Sequence, residues 1–291
     1  MKNKIWLVGA NGLLGSEFRE QLTGIEYYKS SSTDADITSL SSLENFVQNK
    51  HDIKYIINCA ACCNAEYLED NEEYGYKINV EGVVNLGKIA NKLGAILIHI
   101  STDYVFDGNK STPYNELDKT NPLSVYGKQK VNAEENLIKD VNNLVIFRTA
   151  WLFSKFGRDF IKTMKKIASN NTKINVIYDQ VGSPCYAKDL AKFILQCLPQ
   201  IKDNTKEIYH LTNEGVTSWY DLAVNIISFY KLDCEVKPIH SYEYNQKAKR
   251  PSYSVLDKSK FKSHFNIKIR HYGEGLNECM REIKELYNDN I

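Results

Sequence analysis

The sequence lacks a long apolar run, a cysteine framework and an excess of either charge. No stretch of the chain approaches the ~20 apolar residues that crossing a bilayer requires, so no spanning helix is expected and a membrane is not read as a partner. Lys and Arg number 37 against 36 Asp and Glu, a formal charge of +1. That balance gives no reason to expect nucleic acid as a partner, although local basic pockets for a phosphate remain compatible with it. The seven cysteines (Cys59, Cys62, Cys63, Cys185, Cys197, Cys234 and Cys279) are odd in number and irregularly spaced. They do not form a disulfide framework and fit a reducing compartment, so the expectation is a cytoplasmic protein. There is no internal repeat, low-complexity tract or proline-rich linker. Met1-Lys2-Asn3-Lys4 ahead of Ile5–Val8 has a faint look of a signal peptide, but the apolar run breaks at Asn11. A first β-strand accounts for it better.

What is present is ordinary globular composition, 43% hydrophobic and 25% charged, in a chain long enough to bury a sizeable core. The first half alternates short apolar segments with longer helical patterns. Strands are expected at Ile5–Val8, Ile53–Asn58, Ile96–Ile100 and Leu144–Phe147, with a weaker one near Ile25–Tyr28. Helical patterns occupy Leu13–Leu22, Val80–Leu93 and Tyr126–Ile138. Strands this apolar are covered on both faces, and their alternation with helices predicts a Rossmann-like, doubly wound parallel α/β sheet. Beyond Arg148 the pattern loosens. Residues 174–198 are expected to add a strand (Ile174–Ile177) and a helix (Tyr186–Leu198) to the dinucleotide-binding unit formed by 1–148. Residues 149–173 and 199–291 are then expected to build a smaller α+β substrate-binding unit, interleaved with the first.

Gly9-Ala10-Asn11-Gly12-Leu13-Leu14-Gly15 spaces glycines by three between a strand and a helix. Glycine admits a pyrophosphate close to the backbone, and the helix N-terminus offers free amides and a positive dipole end. A plain strand-to-helix turn is the bland alternative. An acidic residue usually follows the second strand when the ligand is NAD. Here Tyr28-Lys29-Ser30-Ser31-Ser32 offers a lysine and hydroxyls, which leans towards NADPH over NADH, although Asp34 and Asp36 follow closely.

Tyr126 and Lys130 stand four residues apart on one helical face. A free phenol titrates near pH 10, and a neighbouring ammonium lowers that value, so the pair makes a usable general acid. Taken alone, the spacing is equally a solvated helix face. Ser101-Thr102-Asp103-Tyr104-Val105-Phe106 follows an apolar strand, and ligands of doubly wound sheets bind at strand carboxyl ends. Thr102 would stand there with a hydroxyl.

These blocks, with Asn58-Cys59-Ala60-Ala61 between them, resemble the extended short-chain dehydrogenase/reductases and, more narrowly, the dTDP-4-dehydrorhamnose reductase family. Later segments agree: Phe147-Arg148-Thr149-Ala150-Trp151, Asp179-Gln180-Val181-Gly182-Ser183-Pro184, Thr217-Ser218-Trp219-Tyr220-Asp221 and Lys249-Arg250-Pro251-Ser252. The resemblance implies reduction of the 4-keto group of a nucleotide-activated deoxysugar, with Thr102, Tyr126 and Lys130 as catalytic residues. It implies cofactor contacts from Gly9, Asn11, Gly12, Leu13, Leu14, Gly15, Asp36, Ile37, Ala60, Ala61, Tyr126 and Lys130. It assigns the sugar site to Asp103, Tyr104 and Trp151, and the diphosphate to Arg250. Some members form dimers through a divalent metal; no unambiguous ligand set is visible here, so no metal is assigned and a homodimer stays open.

Where the family usually carries Ala-Tyr-Thr-x-Val-Asp, this chain has Ala61-Cys62-Cys63-Asn64-Ala65-Glu66. The exact sugar is therefore open, and the thiols read as small packing groups rather than metal ligands. His99 and His210 read as satisfied core histidines. Trp219 and Tyr220 read equally as core or as part of the nucleotide end. Two other readings are a non-catalytic nucleotide-binding subunit and an epimerase or dehydratase of the same superfamily. Retention of Thr102, Tyr126 and Lys130 together argues against the first. The Thr102-Asp103-Tyr104 block argues against the second.

Overall fold

The computed structural model describes residues 3–286. Five apolar segments form strands β1 (Lys4–Val8), β2 (Tyr28–Ser30), β3 (Ile53–Asn58), β4 (Ile96–Thr102) and β5 (Leu144–Thr149). Helices α1 (Leu13–Gln21), α2 (Leu40–Val47), α3 (Gly82–Leu93) and α4 (Val125–Asp140) lie between them. All strand pairings in this sheet are parallel. Side chains of β1 alternate faces with period two. Ile5 and Leu7 enter one core with Phe18 of α1, while Trp6 and Val8 enter the other with Leu43, Val83 and Leu137. Both faces are therefore buried, which is why the strands read as continuous apolar runs rather than alternating ones.

The chain continues through α5 (Phe160–Ala168), β6 (Lys173–Ile177), α6 (Ala187–Cys197) and β7 (Lys206–His210). It closes with α7 (Trp219–Tyr230), β8 (Glu235–Ile239) and α8 (Tyr272–Leu286). The six-stranded sheet runs β7-β5-β4-β3-β1-β2. From β1 the chain moves outward to β2, then returns to the other side of β1 as β3. That reversal opens a crevice at the carboxyl ends of β1 and β3.

Three sequence expectations shift. The weak strand near Ile25–Tyr28 lies later, at Tyr28–Ser30, and Ile25 is exposed. The buried Trp6 indole N–H needs an acceptor and donates to Ser30 Oγ at 2.9 Å, which holds β2 in that register. Ile174–Ile177 does not join the main sheet; as β6 it pairs parallel with β8. The sixth strand is instead β7, from Lys206 against Leu144 to His210 against Arg148, within the segment expected to belong to the substrate unit. An edge strand opening on Lys206 and Glu207 lacks the apolar run that marked the others. Helix α6 does pack on the main sheet's core through Leu190 and Ile194. A separate core joins α5, α7 and α8 through Ile161, Met164, Leu222, Ile226, Leu276 and Met280. No helix among the described residues is long and apolar enough to cross a membrane.

Candidate active site

The crevice begins with the glycine loop. Gly9 holds φ +73, and a Cβ there would lie 2.7 Å from the Ala60 backbone nitrogen. A Cβ on Gly15 would meet the Gly9 carbonyl oxygen at 2.3 Å, so Gly15 lets α1 close up beneath the loop. Gly12 caps α1 without a side chain to occupy its first amides. A groove of about 710 Å³ follows, walled by Gly9, Asn11, Gly12, Asp36, Ile37, Ala60 and Ala61. Glycine backbone, uncapped amides and an open groove at the switch point are what a dinucleotide diphosphate fits. Ser31, Ser32 and Thr33 line the groove past the end of β2, where a carboxylate would favour NAD. Asp34 turns back to Ser31, accepting from its amide (2.8 Å) and hydroxyl (2.6 Å). One oxygen of Asp36 is occupied by the Thr38 amide and hydroxyl.

A second pocket of about 510 Å³ shares Gly12, Cys59, Ala60 and Ala61 with the groove, so the two adjoin. Leu13, Leu14, Thr102, Asp103, Tyr104, Tyr126, Lys130, Trp151 and Arg250 all line it. Every residue expected at the reaction centre therefore reaches one cavity. Thr102 ends β4, and its hydroxyl accepts from the Tyr104 amide (3.2 Å) and donates to Asp103 (3.0 Å). Ser124 caps α4 by accepting from the Gly127 amide at 3.1 Å, which sets Tyr126 in the first turn and Lys130 one turn on. Burial first, and then Cys63, push the Tyr126 phenol well above its usual range, while the Thr102 hydroxyl opposes them. Burial raises the Asp103 carboxyl to about 6 and the Tyr104 phenol to about 12.

The side-chain amine of Lys130 does not bond the phenol. It lies 3.0 Å from His99 Nε2 and donates to the Ile100 carbonyl oxygen at 2.7 Å. Burial lowers it to about 8, against the pull of Cys63 and Glu134. The expected lowering of the Tyr126 pKa by Lys130 is therefore absent from this arrangement, because the amine points at β4. His99 is core, as read, but it is also Lys130's partner.

Trp151 carries φ +45, a backbone rare for a bulky residue. Its ring stacks on Trp219 at 3.6 Å, so it meets the pocket as half of a tryptophan pair rather than alone. Trp219 opens α7, capped by Ser218; it walls the pocket and also packs against the core of α5, α7 and α8. The Arg250 guanidinium, expected to meet a diphosphate, donates to Gln246 Oε1 (2.6 Å) and Glu66 Oε1 (2.9 Å). The substituted carboxylate of Glu66 thus holds the arginine at the pocket rim.

Four wall residues have no site role assigned by the sequence, although three of them lie in its motif blocks. Ser101 Oγ is buried without a partner at the pocket. Arg158 brings a second guanidinium from a loop with no motif. Asn58, whose block was noticed, bonds the ring of His99. Cys63 was read as packing, yet it is exposed at the cavity with Sγ 3.9 Å from Tyr126 Oη. The loop carrying it is held by Asn79, which bonds both the amide and the carbonyl of Cys62 from a π-helical turn (Lys77–Glu81) ahead of α3. Among the described residues no group of three or more His, Cys, Asp or Glu is placed to hold a metal ion.

A family model described as RmlD substrate binding domain matches residues 3–285. A dTDP-4-dehydrorhamnose reductase of Aggregatibacter actinomycetemcomitans is 35% identical over 280 residues, covering 91% of this chain and 94% of its own. The crystal structure of a dTDP-4-dehydrorhamnose reductase from Clostridium acetobutylicum superposes with a TM-score of 0.92 at 36% identity, covering 97% of this chain and all (100%) of that one. That of the Bacillus anthracis dTDP-4-dehydrorhamnose reductase, in complex with NADP, gives 0.91 at 32% identity, with 97% and 100% covered. With its parallel sheet, its glycine groove and its Thr102–Tyr126–Lys130 pocket, this chain belongs to the RmlD substrate binding domain family of extended short-chain dehydrogenase/reductases.

Proposed function

We propose that the chain reduces the 4-keto group of dTDP-4-dehydrorhamnose with NADPH, giving dTDP-L-rhamnose. The observation that carries this is the adjacency of the two cavities: the glycine groove shares Gly12, Cys59, Ala60 and Ala61 with the pocket lined by Thr102, Tyr126 and Lys130. The names and the NADP complex of the relatives support the substrate and the cofactor. Gly9, Asn11 and Gly12 would hold the diphosphate, and the hydroxyls of Ser31, Ser32 and Thr33 suit the extra phosphate of NADPH. When bound, the reduced nicotinamide supplies a hydride.

The chain's own residues do the rest. Tyr126 Oη delivers a proton to the sugar's carbonyl oxygen as it gains charge. Thr102, whose one hydroxyl proton goes to Asp103 in this structure, would turn that proton to the same oxygen. Lys130, whose amine faces β4 in this structure, would hold the nicotinamide ribose and place its charge near the phenolate left behind. Arg250, with a planar fork suited to phosphate oxygens, takes the substrate diphosphate. The Trp151–Trp219 pair closes the apolar wall beside the sugar. The partner is a nucleotide sugar. Purified chain with NADPH and a panel of 4-keto nucleotide sugars tests the assignment. Consumption of reduced nicotinamide, fastest with dTDP-4-dehydrorhamnose, is expected. No consumption with any of them would overturn it.

A further inference from the structure

Behind the pocket, four groups form a line of hydrogen bonds that crosses from β3 through β4 to α4. The Ala60 amide donates to Asn58 Oδ1 at 3.0 Å. That contact fixes the Asn58 amide, so its Nδ2 faces His99 Nδ1 at 3.2 Å. His99 Nε2 then faces Lys130 Nζ at 3.0 Å. An amide nitrogen only donates, so Nδ1 of the ring accepts, and the single proton of a neutral imidazole sits on Nε2. Burial keeps the ring neutral, holding its pKa well below the usual histidine range. Nε2–H therefore points at Lys130. All three links are satisfied together only when Lys130 is an uncharged amine that accepts that proton's hydrogen bond. An ammonium there sets donor against donor, unless the Asn58 amide turns over and abandons the Ala60 N–H.

We propose that His99, oriented by Asn58, is a positioning residue that sets the charge Lys130 brings to the pocket. The inference rests on the reductase reading only for the role given to Lys130. The titratable groups facing Lys130 are His99 from β4, Cys63 from the loop after β3, and Glu134 on its own helix, with Tyr126 one turn earlier. Cys63 and Glu134 favour the charged amine, yet burial holds it down at about 8.

The most direct test is the tautomer of His99, read from its ring-nitrogen chemical shifts by NMR across a pH titration of the unmodified chain. Protonation on Nε2, with a shift that follows Lys130 through its titration, is expected. Protonation on Nδ1, or a ring indifferent to that titration, overturns the proposal. The second arm is His99→Gln, whose amide can turn its oxygen to an ammonium. The alkaline limb of kcat should move up by about one pH unit, with NADPH affinity unchanged. A folded variant whose limb stays in place overturns the proposal. If the variant fails to fold, the ring measurement decides alone. If the chain reduces no 4-keto nucleotide sugar, the reductase reading falls while the ring measurement still stands.

Discussion

The groove and the pocket are built differently. The groove is made of backbone: Gly9 and Gly15 remove side chains where two chain segments touch, and α1 presents uncapped amides. The pocket is made of side chains brought from five places, at Thr102, Tyr126, Trp151, Trp219 and Arg250. A backbone site depends on steric room, so its failure appears as lost cofactor binding. A side-chain site depends on where protons and charges sit, so its failure appears in turnover.

Substitutions in each half test that division. The largest effect is expected from Tyr126→Phe, which removes the proton donor and should cut kcat by about 10³-fold while leaving NADPH binding within a few-fold. Steady-state kinetics with fluorescence titration of NADPH would read both; equal losses in both would erase the distinction. Gly9→Ala attacks the other half. The new Cβ meets Ala60 at 2.7 Å and sits at positive φ, so the crevice must part. NADPH affinity should fall by about 10–100-fold, with kcat at saturating cofactor changed much less. Arg250→Met should raise the KM for the nucleotide sugar about tenfold, a muted loss because Glu66 already engages the guanidinium.

The smallest effect concerns stability. Burial raises Glu17 beneath the glycine loop to about 7, from 4.5 in an unfolded chain. The folded state then holds the proton more tightly, so stability falls as pH climbs from about 4.5 to about 7 and is level above that. Glu17→Gln removes the cost of ionisation. Its melting midpoint, measured by calorimetry, should exceed the parent's by about 2–5 °C at the top of that window and by little at the bottom. A constant difference across the window would contradict it.

The same division explains what the sequence made readable. Gly9, Gly12 and Gly15 are local in the chain, and so are Tyr126 and Lys130, because one helix turn brings them together. Thr102 is legible from its place at the end of an apolar strand. The Trp151–Trp219 stack and the Glu66–Arg250 pair, 184 residues apart, depend on how loops and α7 fold over the sheet. The contact between His99 and Lys130 depends on the register of β4 against α4, which neither segment declares. The sixth strand escaped because an edge strand needs less apolar cover than a central one. Its only fully buried members are Tyr209 and His210, and His210 bonds the Tyr114 carbonyl as a core histidine does.

On the proposed function a hydride crosses directly from the cofactor groove to the sugar pocket, which adjoin at Gly12, Cys59, Ala60 and Ala61. Incubation of the chain with dTDP-4-dehydrorhamnose and NADPH carrying deuterium at the transferable position tests it. Direct transfer gives dTDP-rhamnose with one deuterium, bound at carbon 4. Product with no deuterium there, or cofactor left unoxidised, would contradict it.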